Sequence, residues 1–169
     1  MHKKKEVYII HGYQASTDSH WFHWLKGKLG ELSVRVHILP MPEPDKPQLK
    51  DWVDTLERFI KPDENTFITA HSLGCVTTLK FIEGLNSKIG GAVLVSAFSK
   101  PLPFIPEINS FTDEPVKTDK IIRNTNKRAI IAAEDDAITP FELSKSLAEE
   151  IRADFYPVVK GGHFMKSDG

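Results

Sequence analysis

Phe67-Ile68-Thr69-Ala70-His71-Ser72-Leu73-Gly74-Cys75 changes character at a single serine. The apolar, partly β-branched run up to Ala70 reads as a strand. From Leu73 onward the apolar positions Leu73, Val76 and Leu79, with Phe81 and Ile82 after them, recur at helical spacing. A strand that turns into a helix within one or two residues leaves room for a side chain only between small neighbours. Ala70 and Gly74 stand two before and two after Ser72, the arrangement of a nucleophile elbow written small-x-Ser-x-Gly. Such a turn lifts the hydroxyl clear of the sheet and sets the backbone N–H of Leu73 in the first turn of a helix. There a developing oxyanion would meet both a donor and the positive end of the helix dipole. The same pattern also describes an ordinary helix N-cap, so the rest of the chain has to decide.

Outward from the elbow, strands and helices alternate. Val7–Ile10, Val34–Leu39, Ala92–Ala97, Arg128–Ala133 and Asp154–Val159 read as strands, several of them continuously apolar. Helices are expected from Trp21 through Leu29, over Leu49–Ile60, and from Pro140 through Ile151. This alternation predicts an α/β fold: a mostly parallel central sheet with helices on both faces. Pro40, Pro42, Pro44 and Pro47 make the segment after the second strand an extended loop. Residues 100–126, broken by Pro101, Pro103, Pro106 and Pro115, are the candidate cap or lid, with a short helix near Asp119–Arg123.

The composition bounds the function classes. A chain of 169 residues suggests one domain, 1–169, and its 22 basic against 23 acidic residues leave a net charge of −1. That balance does not steer the protein toward nucleic acid or an anionic membrane. No run approaches the about 20 apolar residues of a membrane span, and Val7–Ile10 after the basic Met1-His2-Lys3-Lys4-Lys5 is too short for a signal sequence. A single cysteine, Cys75, excludes an internal disulfide framework and fits a reducing compartment. A cytoplasmic protein is the expectation.

In an open parallel sheet, chemistry collects at the carboxyl ends of the strands. Four of those ends carry polar residues: His11-Gly12, Ser72, Asp135-Asp136 and His163. Serine, acid and histidine follow in the order of an α/β-hydrolase triad. Ser72 needs a base to take its proton, the His163 imidazole suits that role near neutral pH, and a carboxylate must fix the imidazole tautomer. Asp136 is favoured for the carboxylate because Ala-Ile-Thr-Pro follows it into a helix; Asp135 is left to cap the loop or orient a neighbour. Tyr13, just past His11-Gly12, is the expected second oxyanion donor beside Leu73. Gly12 and Trp21 are candidate substrate-pocket residues, although the Trp21-Phe22-Trp24 cluster reads first as core.

The remaining candidates have plainer readings. His20 and His23 lack a third ligand for a metal, and no metal or cofactor is expected. His11 reads as a support of the oxyanion loop, His71 as a structural residue pointing to the opposite side of the turn, and Cys75 as a small core residue.

In these stretches the chain resembles the small YdeN-type bacterial serine hydrolases, relatives of the retinoblastoma-binding serine hydrolase family. The matching segments are H-G-Y-Q-A-S (11–16), H-W-F-H-W-L (20–25), L-P-M-P (39–42), A-H-S-L-G-C (70–75), E-D-D-A-I-T-P (134–140) and G-G-H-F (161–164). The resemblance implies a small α/β-hydrolase fold with a reduced strand count. It also implies carboxylic-ester hydrolase-type activity, with nucleophile, acid and base on Ser72, Asp136 and His163; cleavage of small esters or amides through an acyl-enzyme on Ser72 is the leading expectation. Members of that family run on into a further helix after the G-G-H-F stretch. Without it, the packing behind His163 and one face of the sheet would be open. The alternative from another class is a binding or scaffold protein that keeps the fold and works through a protein partner; a different reaction on the same fold, acyl transfer or lyase, is the third reading.

Overall fold

The computed structural model describes residues 4–168; Met1, His2 and Lys3 of the basic N-terminal run lie outside them. Six strands form one sheet: β1 (Glu6–Ile10), β2 (Arg35–Leu39), β3 (Thr66–His71), β4 (Ile89–Val95), β5 (Thr125–Ala133) and β6 (Asp154–Val158). Their order is β2-β1-β3-β4-β5-β6 and every pairing is parallel. Chain order reverses beside β1, which brings the ends of β1 and β3 side by side; Ile10 is in register with Ala70. Pro157, which lacks a ladder donor, sits in the edge strand β6.

The helices are α1 (Phe22–Glu31), α2 (Leu49–Phe59), α3 (Leu73–Gly84), α4 (Thr118–Asn124) and α5 (Phe141–Glu150). Successive strand residues face opposite ways, and β1 shows it: Tyr8 and Ile10 join the larger core, Val7 and Ile9 the smaller. The larger core holds Trp52 and Leu56 of α2, much of α3, and Leu147 and Ala148 of α5. In the smaller one only Phe22 of α1 is fully buried, against Val7, Ile9 and Val36. A helix flanked by apolar layers on most sides is apolar all round, which is why α3 carries nine buried residues in a single run of twelve.

Parallel sheets are ordinarily covered on both faces. Here α1 covers the second face over β1 and β2. Further along, Phe67, Val93, Val95 and Ile131 line an open apolar groove of about 600 Å³ with Leu25 and Leu29 of α1.

The element types follow the sequence reading, with three differences. β4 begins at Ile89 rather than Ala92, because Gly90 and Gly91 are strand residues that let the Phe67 ring lie on the backbone; a Cβ on Gly90 would sit 2.6 Å from that ring and 2.5 Å from the Glu64 carbonyl. β5 begins at Thr125, directly after α4. The 100–126 stretch is anchored at points: Leu102, Ile108 and Phe111, the last two in a 3-10 helix (Pro106–Thr112), and Ile121 in α4 are buried in the larger core, while Phe104 is exposed.

Candidate active site

Ser72 sits at the junction of β3 and α3 with φ 55° and ψ −121°. A side-chain-bearing residue in that region is strained, and such strain persists only where the surroundings enforce it. They do so here. The Ser72 N–H donates to the Val95 carbonyl of the neighbouring strand at 2.9 Å, while its own carbonyl accepts the Cys75 N–H at 2.8 Å and starts the helix. Gly74 makes the turn sterically possible: a Cβ there would lie 2.6 Å from the carbonyl oxygens of both Ile10 and His11. Gly12 does the same from the other side, since a Cβ would approach the Ser72 Cβ to 3.0 Å and the Leu73 nitrogen to 3.5 Å. The loop after β1 therefore lies directly against the elbow, with Tyr13 next in the chain.

His11 ties that loop down. Its Nε2 accepts the Met41 N–H at 3.1 Å and its Nδ1 bonds the Gly12 carbonyl at 2.9 Å, so the ring is the neutral Nδ1–H tautomer. Burial keeps its pKa below the ordinary imidazole value. The proline-rich loop thereby braces the segment that packs on the elbow. Trp52 adds to the brace, donating its indole N–H to the Pro42 carbonyl at 2.7 Å.

Asp136 follows β5 and receives five polar contacts. The His163 Nδ1 lies 2.9 Å from Oδ2 and 3.1 Å from Oδ1. The Ser96 hydroxyl donates to Oδ2 at 2.8 Å, and the amides of Ile138 and Thr139 donate to Oδ1 at 2.9 Å. Burial pushes the carboxyl up, but the hydrogen bond and charge of His163 and the two amides outweigh it and hold the pKa below the ordinary carboxylate value. An ionised Asp136 fixes the proton of His163 on Nδ1 and leaves the Nε2 lone pair free to accept one. The His163 and Asp136 side chains are 6% and 2% exposed, so water does not compete for this bond.

Asp135 acts on the backbone instead. Its Oδ1 accepts the amides of Gly161 at 2.9 Å and Gly162 at 2.8 Å, at the start of the loop that carries His163. Those two amides, the Gly162 bond first, lower its pKa.

Ser72, His163 and Gly12 border one cavity of about 510 Å³, whose apolar wall is Tyr13, Ile105, Ile108, Ile138 and Met165. Only the Ile105–Ile108 part of the 100–126 stretch reaches it. Trp21 does not: it borders the apolar groove and a smaller cavity beside Phe164. Nor is the Trp21-Phe22-Trp24 cluster a common core, for Phe22 is fully buried and Trp24 is 65% exposed. His23 bonds Asp18 at the surface, away from His20, and among the described residues no three side chains are grouped to hold a metal. Cys75 is buried and donates its thiol to the Val95 carbonyl; burial drives its pKa far up.

Two residues are involved more closely than the sequence suggests. Ser96, just past the end of β4, has φ 51° and reaches Asp136, a contact that needs the β4–β5 pairing and has no local signal. His71 does not point away from the site: its ring packs on that of His163, with centroids 4.9 Å apart.

Comparison with known proteins gives the family. The profile described as serine hydrolase matches residues 7–169. The chain belongs to the serine hydrolase family. Within that family, the Bacillus subtilis protein named as the hydrolase YdeN is 47% identical over 168 residues, 98% of this chain and 88% of that protein. The crystal structure of the B. subtilis ydeN gene product superposes with a TM-score of 0.96, covering 98% of this chain and 91% of that one. Serine hydrolase RBBP9 of Rattus norvegicus is 23% identical over 150 residues, 88% of this chain and 80% of its own. This serine hydrolase is thus an enzyme of the α/β-hydrolase fold. No helix among its described residues is long and apolar enough to cross a membrane.

Proposed function

We propose that the enzyme hydrolyses small carboxylic esters, and amides of similar size, through an acyl-enzyme on Ser72. The observation that carries this reading is the nearly unexposed His163–Asp136 pair at 2.9 Å, whose His163 borders the same cavity as a strained Ser72. His163 Nε2 takes the Ser72 proton as Oγ attacks the acyl carbon, and returns it to the leaving alcohol or amine. Asp136 holds the imidazole in the tautomer that can do so and stabilises the imidazolium. The amides of Leu73 and Tyr13 stabilise the tetrahedral oxyanion, the first at the N-terminus of α3. A water activated by His163 then releases the acid.

The cavity supports a short, apolar acyl or alcohol group. Ala15, Ile105, Ile108, Ile138 and Met165 give it an aliphatic side, beside polar residues that include Gln14 and Glu107, and about 510 Å³ falls within the range of small-molecule sites. The test is a panel of p-nitrophenyl esters graded by acyl length, with the intact mass of the enzyme followed during turnover. The expected result is a preference for short chains and a transient acyl adduct that Ser72→Ala abolishes. A folded enzyme that turns over none of the panel would move the reading to a protein partner.

A further inference from the structure

We infer that His71, the residue just before the elbow serine, is a positioning residue that fixes the loop carrying His163; this rests on His163 being the base. His71 closes β3 and is 2% exposed. Its Nε2 lies 2.7 Å from the main-chain carbonyl oxygen of His163. A carbonyl can only accept, so Nε2 carries the proton. Nδ1 is then a bare lone pair, and it is buried without a hydrogen-bond partner. Leaving a buried acceptor unpaired costs about 1–3 kcal/mol. A leucine of similar bulk would avoid that cost but would leave the His163 carbonyl without its donor, so what the imidazole supplies here is its hold on that carbonyl.

The loop needs such a hold. Gly161–Met165 lies outside helix and strand, and two of its residues, Gly162 at φ 52° and Phe164 at φ 54°, are in the left-handed region. Besides the Asp136 bond to the His163 ring, side chains from three other parts of the chain hold its main chain. Asp135 takes the amides of Gly161 and Gly162 at its start. Past its end, His20 Nδ1 accepts the Lys166 N–H at 3.3 Å. Between them, the carbonyl of His163 itself is held by His71. That middle bond differs from the others because His71 and Ser72 share a peptide unit. The His71 imidazole thus links the backbone of the base to the residue joined to the nucleophile, and with Asp136 on the His163 ring it sets the spacing of the reacting pair.

The ring of His71 is boxed in its turn. Its centroid lies 4.9 Å from that of His163, 5.1 Å from His20 and 6.1 Å from Trp21, all steeply inclined. Burial first, and then the charge of a protonated His163, push its pKa down to about 3. His71 therefore stays neutral while its neighbour gains and loses the catalytic proton.

The test follows phosphonylation of Ser72 by a fluorophosphonate, separating the maximal rate from the concentration dependence, in wild type, His71→Gln, His71→Leu and His71→Asn. Glutamine can carry an N–H to the position of Nε2; leucine has no donor and asparagine is too short. A misplacement of about 1 Å costs on the order of 10²-fold in rate. The maximal rate should fall by about that factor in His71→Leu and His71→Asn, with half-saturation little changed, and recover most of the way in His71→Gln. The inference is overturned if folded His71→Leu or His71→Asn reacts within about threefold of wild type, or if all three variants lose the same factor. Should leucine fail to fold, asparagine and glutamine still decide. A wild type that the probe does not modify would instead remove the reading of His163 as base.

Discussion

Gly74→Ala places one methyl group where the fold has least room. The new Cβ would lie 2.6 Å from the carbonyl oxygens of Ile10 and His11, and 3.1 Å from the Ile10 carbonyl carbon. Carbon–oxygen contacts in folded proteins rest near 3.3–3.6 Å, so α3 must draw back from the end of β1 by roughly 0.7 Å or more. Both obstacles are main-chain atoms at the end of a central strand and cannot rotate aside. Overpacking of this kind costs typically 1–3 kcal/mol, and two fixed contacts put it at the upper end. The helix propensity of alanine returns at most about 1 kcal/mol, leaving a net loss near 2 kcal/mol. For a chain of this size that lowers the thermal midpoint by roughly 4–8 °C. Gly27→Ala is the internal control: Gly27 lies on α1 and a Cβ there meets nothing within 4 Å. It should raise the midpoint by a degree or more, since the gain is about 0.5–1 kcal/mol. Thermal unfolding followed by circular dichroism measures both. A Gly74→Ala variant that melts within about 1 °C of wild type, or above it, would refute the packing argument at the elbow.

Asp136→Asn should lower the maximal rate of ester hydrolysis by about 10³–10⁴-fold with little change in KM, because an amide no longer holds the tautomer that His163 needs; steady-state kinetics check this. Stability should depend on the same carboxylate. Its folded pKa is depressed, so its contribution is full above the unfolded value near 3.9 and is lost as pH falls through the lower folded one. Urea midpoints between pH 6 and pH 3 should therefore drop more steeply in wild type than in Asp136→Asn, and parallel lines would count against the assignment. Cys75, buried and with its pKa raised, should resist iodoacetamide in the native enzyme and react only in urea, and Cys75→Ala should leave fluorophosphonate labelling intact.

The sheet was legible because burial on both faces writes itself into a strand as an unbroken apolar run, as in Val7–Ile10. The elbow was legible because Ala70 and Gly74, two before and two after Ser72, are small at a strand-to-helix junction. The ends of elements were harder: the apolar run reads as a strand only from Ala92, yet Gly90 and Gly91 already serve as strand because Phe67 needs the space. Trp24 and Trp21 read as core or pocket, whereas the face they belong to is only partly covered. At the site, chain order and local motif point to Ser72, Asp136 and His163, and the fold brings these three to one place. Ser96 and His71 were missed or misjudged because their contacts span 40 and 92 residues and depend on strand pairing and loop course. Spacing along the chain carries no trace of either.

The most direct measurement of the central claim is labelling by a fluorophosphonate probe, comparing wild type with Ser72→Ala and His163→Ala. The account predicts one equivalent of label in wild type, none in Ser72→Ala, and a rate lowered to background in His163→Ala. A folded wild type that takes no label, or a Ser72→Ala variant that still does, would contradict it.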